Sequence, residues 1–132
     1  MTHARILLTE DHQEMRDTIE HLLESDFDIV GVSASGDELL KVEFETQPDV
    51  CVVDISMPTL SGIQAAEQLR SRGSRAKVLF LTAHEDPNLL QAALDTGALG
   101  YVLKSRMFLD LGPAVRSVLS GQLFISEQRF LK

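Results

Sequence analysis

Val50-Cys51-Val52-Val53-Asp54 decides the fold. Four consecutive apolar residues follow shortly after Pro48 and end on a carboxylate. A half-buried strand alternates apolar and polar residues. A run without alternation, rich in β-branched side chains, reads as a strand covered on both faces. Runs of the same kind recur on either side, at Ile6-Leu7-Leu8, Ile29-Val30-Gly31-Val32, Val78-Leu79-Phe80-Leu81 and Tyr101-Val102-Leu103. Amphipathic stretches lie between and after them. Met15, Ile19, Leu22 and Leu23 share one helical face, as do Leu60, Ile63, Ala66 and Leu69. Leu89, Leu90, Ala93 and Leu94 form a further stripe, and Leu111, Val115, Val118 and Leu119 another. Asp37 to Gln47 is a weaker helix stopped by Pro48, and Gly97 and Gly121 stand where helices end.

Strand–helix alternation predicts an α/β fold: a parallel sheet with helices on both faces. Five strands and five helices fit a doubly wound, flavodoxin-like sheet of order 2-1-3-4-5. The 132 residues fit one domain, and 44% hydrophobic residues suffice for its core. No apolar run exceeds four residues, so no membrane span is expected, and no signal peptide is visible behind Met1. The single cysteine, Cys51, excludes an internal disulfide framework and fits a buried, inert thiol in a reducing, cytoplasmic setting. The net charge of -8 argues against direct nucleic-acid binding by this chain and favours a cation or a basic partner.

Sheets of this type bind ligands beyond the carboxyl ends of their strands, where the order reverses between strands 1 and 3. Glu10 and Asp11 follow strand 1, Asp54 ends strand 3, Thr82 ends strand 4 and Lys104 ends strand 5. Any one of these acids alone reads as a solvated loop residue or a helix cap. Three converging carboxylates repel one another, and a hard divalent cation removes the difficulty. An oxygen-only donor set indicates magnesium or manganese. Strand 5 lies on the order of 10 Å from strand 3, a gap that a lysine stem can largely cross. Asp54 can act as a nucleophile, and the cation with Lys104 would neutralise an arriving phosphoryl group. These residues point to phosphorylation of Asp54 as an acyl phosphate.

With these pieces in this order, the chain resembles the receiver domains of two-component response regulators over residues 4–120. The likeness rests on Glu10-Asp11, on the run from Asp54 through Met57-Pro58 to Gly62, on Thr82 and on Lys104. It implies a signalling role rather than an enzyme's, with Asp54 accepting a phosphoryl group from a sensor histidine kinase. Asp11, Asp54 and the Ser56 carbonyl would hold Mg2+, with Glu10 acting mainly through water. Lys104 would pair with the phosphoryl oxygens, Thr82 would move to bond them, and Tyr101 would rotate inward behind it. Ser56 and His84 would tune the lifetime by controlling access of water. No role falls to His12 or His21. The family often has an acid where Ser61 stands and a proline where Ser105 stands. Ser61 can still cap the following helix, and Ser105 predicts a looser loop.

Asp11-His12-Gln13-Glu14-Met15-Arg16, Gly97 to Lys104 and Gly121 to Ser126 are similar to the subfamily whose receivers precede a LuxR-type helix-turn-helix. That implies transcription regulation through a DNA-binding output domain and allows a homodimer on phosphorylation. Residues 121–132 are then a tail or the start of a linker. Leu123, Phe124, Ile125, Phe130 and Leu131 look exposed there, as in a chain cut from a longer regulator; a stand-alone receiver is the other option. Two further readings compete. A receiver-like interaction module would share the fold without being phosphorylated. A magnesium-dependent phosphohydrolase would use Asp54 but lacks a second acid two residues on, where Ser56 stands.

Overall fold

The computed structural model describes residues 3–57 and 60–128. Strands β1 (Arg5–Thr9), β2 (Asp28–Ser33), β3 (Val50–Asp54), β4 (Lys77–Thr82) and β5 (Gly100–Leu103) alternate with helices. The helices are α1 (Gln13–Leu23), α2 (Gly36–Thr46), α3 (Gly62–Ser71), α4 (Pro87–Asp95) and α5 (Met107–Leu119). A short 3-10 turn, Lys104–Arg106, joins β5 to α5, and a two-residue strand β6 (Phe124–Ile125) follows. The sheet is parallel with order β2-β1-β3-β4-β5-β6, so the expected 2-1-3-4-5 arrangement carries one added edge strand.

The unalternating runs have the expected cause. Val50 and Val52 face one core together with Ile6, Leu8, Leu79, Leu81 and the α1 and α5 residues Ile19, Leu23, Leu111, Val115 and Val118. Cys51 and Val53 face the other, with Leu7, Phe80, Leu39 of α2, Ala65, Ala66 and Leu69 of α3, and Leu90 and Ala93 of α4. Both faces are dry, so both parities of each central strand must be apolar. The Cys51 thiol is buried, and desolvation pushes its pKa up, which suits an inert core group. β2 departs from this pattern. Ile29 to Val32 are only half-buried because β2 is an edge strand.

Local signals account for most element ends. α2 ends at Thr46, one residue before the expected end; Gln47 closes it in a left-handed conformation (φ 48°), because Pro48 disfavours the helical conformation for its predecessor. Gly97 (φ 89°) and Gly121 (φ 78°) adopt the left-handed backbone after α4 and α5. Leu60 precedes α3 instead of starting it, since Ser61 forms a capping box there. Ser61 Oγ accepts from Gln64 N and Gln64 Oε1 accepts from Ser61 N. Ser105 lies within the 3-10 turn, which runs directly into α5.

The expectation of an exposed tail needs correction. Leu123 is exposed, but Phe124 and Ile125 are half-buried as β6, paired with Gly100 and Tyr101. β5 would otherwise be an open sheet edge, and its unpaired backbone groups recruit the following segment. Phe130 and Leu131 lie outside the described residues, as does Pro58. Among the described residues no helix is long and apolar enough to cross a membrane.

Candidate functional site

Register places the polar strand ends side by side. Thr9 pairs with Val53, Asp54 with Leu81, and Thr82 with Leu103. Glu10 therefore emerges next to Asp54, with Thr82 and Lys104 one step further along their neighbouring strands. The Glu10 amide donates to the Ser33 carbonyl at 3.0 Å, fixing the end of β1 against β2. Gly62 holds the start of α3 against the end of β3. A Cβ on it would lie 2.4 Å from the Asp54 carbonyl oxygen, so only glycine allows this approach.

Lys104 spans the sheet edge as its stem length suggested. Its Nζ lies 2.7 Å from Glu10 Oε1 and 3.2 Å from Asp54 Oδ2. The contact with Asp54 is expected from sequence, whereas the shorter one with Glu10 is not. Strand order shows where a side chain starts but not which of two acids it meets. Glu10 and Asp54 are both buried. Asp54 Oδ1 accepts a 3.2 Å bond from the Ser56 amide. Glu10 Oε2 accepts from the His12 amide at 3.1 Å, and the Glu10 carbonyl accepts from Arg16 at 2.9 Å.

The two buried acids respond in opposite directions. Burial and the neighbouring Glu10 charge push the Asp54 pKa up to about 6 against the pull of Lys104. Burial also raises Glu10, but bonds from Lys104 and the His12 amide outweigh it and leave Glu10 below its ordinary value. Burial works against the Lys104 ammonium, and its two carboxylate partners more than offset this, so its pKa is raised. One ammonium thus serves two carboxylates, and Asp54 is the one left short of compensation.

Asp11 is three-quarters buried, and its Oδ1 accepts no hydrogen bond. His12 Nδ1 lies 3.3 Å from both Asp11 Oδ1 and Glu10 Oε2. One donor atom from each of Glu10, Asp11 and His12 falls within a mutual 4.8 Å. The orphaned carboxylate oxygen and the oxygen-rich donors fit a divalent cation. Asp54 stands outside that tight trio and reaches it through Lys104. His12 and Arg16 are residues that the sequence reading missed. His12 sits at the N-cap of α1 but makes no capping bond; its ring turns to the acids instead.

Thr82 and Tyr101 meet on the backbone of one residue. The His84 amide donates to Thr82 Oγ1 at 3.1 Å, and the Tyr101 hydroxyl donates to the His84 carbonyl at 3.3 Å. Tyr101 is fully buried, in the inward orientation, and Thr82 is buried beside it. The His84 side chain is exposed, so its main chain makes the link.

Comparison with known proteins gives this arrangement a family. Residues 6–116 match the model described as the response regulator receiver domain. The chain is 34% identical over 126 residues to the uncharacterized transcriptional regulatory protein YvfU of Bacillus subtilis, covering 94% of this chain and 63% of that protein. It is 36% identical to the transcriptional regulatory protein DesR of the same organism, covering 89% of this chain and 59% of the relative. The chain thus spans about three-fifths of the length of these relatives. Among solved structures, a LuxR-family two-component response regulator from Aurantimonas superposes with a TM-score of 0.90 at 31% identity, covering 95% of this chain and 91% of that one. The signal receiver domain of the putative response regulator NarL from Mycobacterium tuberculosis superposes with 0.88 at 28% identity, covering 92% of this chain and all of that one. A buried acidic cluster at the sheet's reversal point, bridged by the lysine that follows β5, thus belongs to a member of the response regulator receiver domain family.

Proposed function

We propose that the chain is a phosphorylation-dependent switch in which Asp54 is the phosphoacceptor. The observation that carries this reading is the Lys104 ammonium held between two buried acids, one of which, Asp54, is incompletely compensated. An Asp54 carboxylate oxygen attacks phosphorus of a phosphohistidine on a sensor kinase. The new O–P bond forms as the P–N bond breaks, and the released imidazole takes a proton. Magnesium, when bound by Asp11, Asp54 and the Ser56 carbonyl, with Glu10 acting through water, supplies neutralising charge. Lys104 moves its bond from the Asp54 carboxylate to the phosphoryl oxygens, adding charge stabilisation where charge develops.

Thr82 Oγ1 exchanges its bond with the His84 amide for one with the phosphoryl group. The His84 main chain then shifts, and with it the support of the Tyr101 hydroxyl. The surface of α4, β5 and α5 is the part this exchange remodels. A population change from 1:99 to 99:1 requires about 5.5 kcal/mol of differential binding, within reach of a few charge-assisted bonds. Ser56 and the exposed His84 ring flank the route of the hydrolysing water and set the lifetime. In the whole protein the switch regulates DNA binding through an output domain joined by a linker that starts after β6, with homodimerisation on phosphorylation. The names of YvfU and DesR support transcription regulation. The test is incubation with acetyl phosphate and magnesium followed by intact-mass measurement. One phosphoryl mass is expected in the wild type and none in Asp54→Ala; no gain, or the same gain in the variant, rejects the proposal.

A further inference from the structure

Outside the acidic cluster, one buried polar group of side chains touches the Lys104 anchor from behind. Ser126, just past β6, is 1% exposed. Its Oγ donates to Asp110 Oδ2 at 2.6 Å and accepts the Leu103 amide at 3.2 Å. Its own amide donates to the Tyr101 carbonyl at 2.9 Å. Asp110, in the first turn of α5, is buried and also accepts from Arg106 Nε at 3.0 Å. One hydroxyl therefore ties together the last residue of β5, the start of α5 and the segment after β6.

Leu103 immediately precedes Lys104. The β5–β6 ladder ends at the Tyr101–Ile125 pair, so Leu103 has no β6 residue opposite it. The Ser126 side chain supplies the acceptor that a longer strand would have supplied from its backbone. Without it a buried amide is left unpaired at the residue that anchors the Lys104 stem. Asp110 fixes the direction of that hydroxyl, because its Oδ2 takes the proton and leaves the oxygen lone pair for Leu103.

We infer that Ser126, oriented by Asp110, is a positioning residue for Lys104 and couples the segment after α5 to the occupancy of the Asp54 site. The inference rests on the receiver reading above. Coupling of this kind is reciprocal: if the Ser126 bond favours the loaded site, loading strengthens that bond.

The experiment titrates the full chain with beryllium fluoride, a phosphoryl mimic, at saturating magnesium, and follows binding by amide NMR. Ser126→Ala is expected to bind the mimic about two- to tenfold more weakly than wild type, the span of one hydrogen bond, and Ser126→Thr to restore binding. In a Lys104→Ala background, Ser126→Ala should cause no further loss, a result that a general structural role would not give. In the wild type, exchange of the Leu103 amide should slow on loading. Equal affinity of Ser126→Ala and wild type, or an undiminished loss in the Lys104→Ala background, overturns the positioning role. If Ser126→Ala does not fold, Leu103 exchange unchanged by loading in the wild type overturns it instead. A wild type that takes up no mimic rejects the receiver reading and the inference with it.

Discussion

Replacing Asp54 by asparagine should stabilise the fold in the absence of divalent cations, increasingly so as pH rises. The Asp54 pKa stands at about 6 in the folded chain against 3.8 for an ordinary aspartate, because burial and Glu10 penalise its charge more than Lys104 favours it. The folded state therefore holds the Asp54 proton more tightly than the unfolded state does. Its contribution is fully present below pH 3.8 and is lost as pH rises through 6. Rising from 3.8 to about 6 corresponds to about 3 kcal/mol when both states are ionised. At pH 5 the same linkage gives about half of that, because Asp54 is then ionised mainly in the unfolded chain. Asparagine keeps the shape and the neutral state throughout. Urea unfolding in EDTA should therefore show the variant ahead of wild type by about 3 kcal/mol at pH 7.5 and by about half of that at pH 5. A variant no more stable than wild type at pH 7.5 would refute the reasoning, since Lys104 would then compensate both acids.

Magnesium should raise the melting temperature of the wild type by binding the folded state, and Asp11→Ala should abolish that rise, as read by calorimetry. Gly62→Ala places a Cβ 2.4 Å from the Asp54 carbonyl, so it should lose about 1–3 kcal/mol in urea unfolding and slow phosphorylation by acetyl phosphate. The chain has one tyrosine and no tryptophan, so intrinsic fluorescence reports Tyr101 alone. Its emission should change on loading in the wild type and stay constant in Asp54→Ala.

Much of this was legible in the sequence because it follows from burial. Val50 to Val53 is apolar at every position because two cores claim alternate residues, and that determined the sheet and its reversal point. Glu10, Asp11, Asp54, Thr82 and Lys104 lie at strand ends, which are readable once the runs are found. What was not legible depends on side-chain direction and on partners distant in sequence. β6 is two residues long, without periodicity, and exists because β5 offers an edge and Asp110 holds Ser126. His12 reads as an ordinary exposed residue until its place just before α1 turns its ring to two carboxylates. The half-burial of β2 follows from its edge position rather than from its composition.

The linkage formed on phosphorylation tests the central claim most directly. The chain loaded with acetyl phosphate and magnesium is treated with borohydride, which reduces an aspartyl phosphate to homoserine, and the peptides are then sequenced by mass spectrometry. Homoserine at position 54, and only there, is the predicted result. Unmodified Asp54, with the phosphoryl group retained on another residue, would contradict it.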